Sequence, residues 1–271
     1  MRYYVVSDPH AFCTLLKTTL ESVGFFDDKT PHKLIICGDL MDRGPETIEM
    51  QNFVLDLMKK DEVILIKGNH EDLLVDFIEK DKWAWLPHHV RNGTIVTALD
   101  LAGCGEDAPI CNTEEFLKKV SESPFFKYII PKMLDYYETE KYIFVHGYIP
   151  CYCTDGKEYS YFSDWRNAPS KMWEQARWLN GMLVNRSVKE YGKTIVCGHF
   201  HTSYGHSIFN EDGAEFGLDA NFSPYYADGI IAIDGCTAYS GIINCVIIED
   251  EPIPDVVEEN TVVVKDDYVL R

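Results

Sequence analysis

The chain has no Cys-x-x-Cys pair, no long apolar run, no internal repeat and little positive charge. Nine cysteines stand at positions 13, 37, 104, 111, 151, 153, 197, 236 and 245. An odd, unpatterned set of this kind in a 271-residue chain argues against a disulfide framework and a zinc ribbon, and gives the expectation of reduced thiols in a cytoplasmic protein. No stretch approaches the roughly 20 apolar residues that cross a bilayer, so no membrane partner is expected. Residues 1–6 run straight into a strand pattern, which leaves no room for a secretory leader. Lysine and arginine total 25 against 44 acidic residues, a formal net charge of −19. That sign repels a nucleic-acid backbone and disfavours a duplex partner. It also repels a phosphate ester, so a site for one needs its own local cations.

What is present is core material. The chain is 46% hydrophobic and 13% aromatic, too apolar for disorder across its body. Short runs rich in β-branched residues at 3–6, 34–37, 63–66, 143–145 and 195–197 read as buried strands. Helical periodicity at 10–23, 46–60 and 71–80 gives a β-α-β-α-β-α opening, with Pro45 and Glu46 after Gly44 starting the second helix. Further helices are expected at 114–120 and 171–179. Strands are expected at 229–233 and 242–248, lying side by side, and near 261–264 after an acidic surface excursion. The irregular blocks at 81–140, 148–193 and 202–228 read as insertions in a single domain spanning 1–271, the first lying over the crevice and all three shaping a pocket. Trp83, Trp85, Trp165, Trp173 and Trp178 read as packing residues rather than stacking platforms. His32, His88, His89 and His206 read as surface or loop groups.

Five polar clusters each follow an apolar run: Asp8-Pro9-His10, Gly38-Asp39-Leu40-Met41-Asp42-Arg43-Gly44, Gly68-Asn69-His70-Glu71, His146-Gly147 and Gly198-His199-Phe200-His201. Catalytic groups of α/β proteins collect beyond the carboxyl ends of the strands, which is where all five fall. Asp, Asn and His suit manganese, iron or zinc. Two ions roughly 3.5–4 Å apart normally share a carboxylate and clamp the oxygens of an in-line displacement. Asp39, leaving its strand at a Gly-Asp corner, is the candidate for sharing. An alkoxide leaves badly unless protonated, so a histidine made cationic by a neighbouring carboxylate is useful. Arginine offers a planar fork for phosphate oxygens.

On these blocks the chain resembles the calcineurin-like metallophosphoesterases, within them the phosphoprotein-phosphatase branch that also holds diadenosine tetraphosphatases. Residues 233–235 resemble the family's closing segment. Ser7 and Ala11 stand where that branch usually has glycine, and His146-Gly147 where His-Ala-Gly is frequent. The resemblance implies a sandwich of two central β-sheets flanked by helices. It implies two divalent ions, manganese first with iron or zinc as alternatives. Asp8, His10, Asp39 and His201 would hold one ion, and Asp39, Asn69, His146 and His199 the other. His70 would be the general acid oriented by Asp42, and Arg43, Asn69 and Arg166 would meet the phosphate, with Arg91 competing with Arg166. The expected reaction is attack of a metal-bridging water on a phosphomonoester, on a phosphoprotein or a small ester, without a covalent intermediate. The alternatives are hydrolysis of a dinucleoside polyphosphate and, from another class, a catalytically silent metal-binding scaffold.

Overall fold

The computed structural model describes residues 1–79, 86–105, 113–154 and 158–253. The chain opens with β1 (Arg2–Val6), α1 (Cys13–Ser22), β2 (His32–Cys37), α2 (Thr47–Lys59), β3 (Val63–Ile66) and α3 (Asn69–Glu79). There follow α4 (Leu86–Asn92), α5 (Thr94–Ala102), α6 (Thr113–Glu122), β4 (Tyr137–Glu138) and β5 (Tyr142–Phe144). A hairpin of β6 (Cys151–Thr154) and β7 (Glu158–Tyr161) precedes α7 (Ser170–Ala176), α8 (Gly181–Val184), β8 (Thr194–Cys197) and α9 (Thr202–Phe209). Then come β9 (Tyr225–Ala227), β10 (Ile230–Ala232), α10 (Thr237–Ser240) and β11 (Val246–Glu249). Trp83, Trp85 and the expected strand near 261–264 lie outside the described residues. No described helix is long and apolar enough to cross a membrane.

Two sheets carry the fold, ordered β11-β1-β2-β3 and β4-β5-β8-β10-β9. Within them β1, β2 and β3 run parallel, as do β5, β8 and β10, and the antiparallel strands sit at the edges. Side chains alternate between the faces of a strand. Tyr3, Val5, Ile35 and Cys37 therefore meet Phe144, Val196 and Ile233 in a core between the sheets. Tyr4, Val6, Leu34 and Ile36 point the other way, to Leu16, Leu20, Met50 and Val54 of α1 and α2. Ile143, Ile195 and Cys197 likewise face Trp173 and Met182. Burial on both faces is why these strands read as unbroken apolar runs.

Four expectations change here. The strands expected side by side near the C-terminus belong to different sheets: β10 pairs with β8 and β9, whereas β11 pairs with β1. Thr237 Oγ1 donates to the Asp8 carbonyl at 2.8 Å within that crossover, which carries the chain past the end of β1. The block at 81–140 does not simply lie over the crevice. Its α5 packs on α2, α3 and α6, placing Ala98, Phe116 and Val120 in the outer core of the first sheet. Trp165 and Trp173 are buried as expected, but Trp178 is 46% exposed. His89 and His206, read as surface or loop groups, are buried too.

Candidate metal centre

Because the central strands of each sheet are parallel, their carboxyl ends lie at one edge, and the five clusters occupy the turns there. The turns are tight. Asp8, His10, Ala11, Asp39, Asp42, Arg43, His199 and Cys236 all have positive φ, and elsewhere among the described non-glycine residues only Asp61 and Glu211 do. Left-handed backbone disfavours most side chains and collects at functional sites. Two glycines are required by close approach. A Cβ on Gly38, whose φ is +84°, would lie 2.4 Å from His146 Nδ1, and one on Gly68 would lie 2.1 Å from Asp39 Oδ1.

Asp39 stands at the middle with its two oxygens facing different partners. Its Oδ2 is 3.8 Å from both His10 Nε2 and His70 Nε2, and its Oδ1 is 3.4 Å from His146 Nε2. Its carboxylate belongs to two clusters of converging ligand atoms, one with His10 and His70 and one with His146 and His199. Three imidazoles are fixed by backbone carbonyls. His10 Nδ1 donates to Met41 O at 2.9 Å and His146 Nδ1 to Cys37 O at 2.8 Å, while the His199 ring bonds the backbone of Trp178. Such bonds set the tautomer and leave the other ring nitrogen as a lone pair. His146 Nε2 then faces Asn69 Oδ1 at 2.8 Å and Asp39 Oδ1, an acceptor meeting acceptors. A divalent cation fits that donor set. Arg43 gives the other cluster its cation, donating to His10 Nε2 at 3.0 Å and His70 Nε2 at 3.1 Å.

Charge at the centre is one-sided. Burial first, then repulsion from Asp234 on Asp8 and from Asp8 and Glu71 on Asp39, holds these two carboxyls well above the usual carboxylate range, and burial also raises Glu71 and Asp234. Burial depresses His10, His146 and His199, the last to about 4. These shifts fix a stability profile. A carboxyl with a raised folded pKa keeps its proton longer when folded, so its contribution is lost as pH rises from about 4 towards the folded value. A depressed histidine acts oppositely, adding stability as pH rises to about 6.5. Above pH ~6.5 the histidines add nothing further, and the raised carboxyls, Asp42 at about 7 among them, and the buried thiols such as Cys37 and Cys197 act in one direction. The metal-free protein is therefore expected to lose Tm on further alkalinisation, and manganese to raise Tm by an amount that grows with pH, because ligands bind deprotonated. At a hundred times Kd the gain is about 2.7 kcal/mol. Thermal melts with and without metal from pH 5 to 9 measure it; a metal increment that shrinks as pH rises contradicts the assignment.

Asp42 and His70 form a supported pair. His70 Nδ1 donates to Asp42 Oδ2 at 2.7 Å, and Thr97 and Thr94 hydroxyls donate to the same carboxylate at 2.6 and 3.1 Å. Burial lifts Asp42 to about 7, and burial with Arg43 presses His70 down to about 3. The expected imidazolium is thus not the resting form while Arg43 lies against Nε2. Glu71 accepts backbone N–H bonds from Gly68, Leu40 and Asp39 at 2.7, 2.9 and 3.1 Å, tying the turn after β2 to the one after β3. Glu71→Gln turns one acceptor into a donor facing those amides. It should cost about 1–3 kcal/mol of stability and weaken metal affinity about 10–100-fold, read by denaturant melts and metal titration. Unchanged affinity would show that the turn does not depend on Glu71.

The structure brings together His10, Asp39, Asn69, His70, His146 and His199, with Asp42 and Arg43 against them. Asp8 reaches the same edge, its Oδ2 accepting from the His199 amide at 3.0 Å. Other expected residues lie apart. His201 directs Nε2 to Glu215 Oε1 at 2.9 Å. Arg166 gives its donors to Glu138 at 2.8 and 2.6 Å and to Glu190 at 3.1 Å, with its guanidinium over the Trp165 ring. Arg91 is exposed on α4. Sequence reasoning gave no role to Thr94, Thr97, Glu71, Asp234 or the Trp178 backbone. Glu71 lies inside the third cluster and Asp234 in the closing segment, and each carried a signal as an acid within a motif block.

The family described as calcineurin-like phosphoesterase matches residues 1–216. The asymmetrical bis(5'-nucleosyl)-tetraphosphatase PrpE of Bacillus subtilis (strain 168) is 28% identical over 132 residues, 46% of this chain and 52% of that protein. The symmetrical bis(5'-nucleosyl)-tetraphosphatase of Thioalkalivibrio sulfidiphilus (strain HL-EbGR7) is 42% identical over 71 residues, 26% of this chain and 25% of that protein. The match thus spans at most about half the length of these curated relatives. Among solved structures, the cold-active protein-tyrosine phosphatase of a psychrophilic Shewanella sp. superposes with a TM-score of 0.54 at 15% identity, covering 92% of this chain and 75% of that one. It shares the fold.

Proposed function

Since the chain belongs to the calcineurin-like phosphoesterase family of metal-dependent hydrolases, we propose that it is a two-metal phosphohydrolase acting on dinucleoside polyphosphates. The observation that carries the two-metal reading is the Asp39 carboxylate, whose two oxygens face separate clusters of lone pairs. Asp8, His10 and Asp39 would hold one ion, with His201 joining if its ring turns from Glu215. Asp39, Asn69, His146 and His199 would hold the other. Bound there, divalent ions of the manganese, iron or zinc kind supply positive charge to the phosphoryl oxygens and lower the pKa of water towards about 7.

The chain's own groups do the rest. Arg43 exchanges its bonds to His10 and His70 for the planar, charge-assisted grip that guanidinium gives to phosphate. That exchange bares both Nε2 atoms, freeing His10 as a ligand and His70 as a proton carrier. The Asp42 carboxylate, held by Thr94 and Thr97, keeps the His70 ring aimed and supports its protonated form once the cation beside it has moved. The bared His70 Nε2 takes up a proton from solvent and hands it to the departing oxygen. A silent scaffold needs no such pair. The oriented His70 and the Arg43 clamp favour an enzyme.

One observation puts the dinucleoside substrate ahead of the phosphomonoester: relatives that match over 132 and 71 residues are named as bis(5'-nucleosyl)-tetraphosphatases. Arg166, expected as a second phosphate contact for either substrate, is engaged by Glu138 and Glu190 and does not discriminate between them. Product analysis of the manganese-reconstituted protein with diadenosine tetraphosphate against a phosphoserine peptide decides between them. Faster release of nucleotides is the expected outcome, and preference for the peptide would reverse the order.

A further inference from the structure

We propose that Phe216 and Tyr239 form a shelf that takes a nucleobase of the substrate. This specifies the preceding reading of the centre and rests on it. Phe216 lies 4.7 Å from the His201 ring, centroid to centroid, and Tyr239 meets Phe216 edge-on at 5.4 Å. Both stay open to solvent, at 49% and 58% exposed, and Leu218 at the loop tip is fully exposed. Two aromatic rings in contact with each other and open to solvent are unusual for a surface facing only water.

The shelf is held in place. Gly217 N donates to the Tyr239 hydroxyl at 3.1 Å, Ser203 Oγ donates to the Glu215 carbonyl at 2.7 Å, and Glu215 engages His201. The rings thus keep their position when free, so little ordering is required on binding. Stacking on an aromatic face is indifferent to charge, which suits a chain of net charge −19 that must hold a polyanion. His201 stands two residues after His199 in the turn that follows β8, so the shelf packs on the same turn that supplies a ligand of the centre. Trp178, on the flank of His199 at 5.7 Å and also 6.2 Å from His88, is the competing platform. It stands edge-on to its histidine, and its backbone is committed to that ring.

The test is calorimetric titration of the manganese-loaded full chain with AMP and with ribose 5-phosphate, which differ only by the base. AMP is expected to bind about tenfold more tightly, and Phe216→Ala to erase that margin while the variant still binds ribose 5-phosphate. Phe216 is half exposed, so its truncation leaves the core intact. Equal binding of the two ligands by the wild type overturns the shelf. So does a margin that survives Phe216→Ala, or one that Trp178→Ala alone removes. Turnover of diadenosine tetraphosphate, measured in parallel, keeps the readings separate: no turnover with an AMP margin sinks the substrate, and turnover without a margin sinks the shelf.

Discussion

Asp39→Asn is expected to end turnover and empty both ion positions at once. The change is isosteric, and Asn can still accept the His70 backbone N–H that Asp39 Oδ1 takes at 3.0 Å, so the turn should persist. What disappears is the negative charge shared between the two lone-pair clusters. A bridging carboxylate is the group two close cations require. Turnover should fall by more than about three orders of magnitude, about 4 kcal/mol at 1.36 kcal/mol per decade, with metal content falling in parallel. The metal-free variant should meanwhile melt higher than the metal-free wild type above pH ~6.5, because a carboxyl whose ionisation burial and Asp8 oppose has been neutralised. A variant that keeps both ions and loses only rate would make Asp39 something other than the bridge.

His70→Asn should instead discriminate between leaving groups. Asn cannot protonate a departing oxygen, so alkyl phosphates should slow by about 10²–10⁴, the usual worth of general acid catalysis. Aryl phosphates, whose leaving groups depart as stable anions, should slow far less. Metal content should hold, because His70 is placed outside the ligand set. The assay is kcat on an alkyl and a nitrophenyl ester with metal quantified on the same samples. Equal losses on both esters would take His70 out of the acid role and leave its bond to Asp42 as a support for the turn.

The sandwich and the positions of the five clusters were legible because both follow from short-range pattern. Strands buried on both faces are continuous apolar runs, and the turns that leave them carry polar residues at fixed spacing. The groups that orient those residues were not legible. Thr94 and Thr97 lie 52 and 55 residues from the Asp42 they hold, and no local rule links them. The carbonyls that set His10 and His146, and the backbone that sets His199, belong to segments distant in sequence. Arg166 shows the limit of motif spacing. Its place in an Asp-Trp-Arg string suggested a phosphate contact, whereas the nearest carboxylates in space, Glu138 and Glu190, take its donors. β10 and β11 teach the same lesson, since neighbours in sequence with equal strand character divide between two sheets.

The most direct test of the account is anomalous diffraction at the manganese edge from crystals grown with manganese. The prediction is two peaks roughly 3.5–4 Å apart, both within bonding distance of the Asp39 carboxylate, one beside His10 and the other beside Asn69, His146 and His199. A single peak, or two peaks of which one leaves Asp39 untouched, would contradict it.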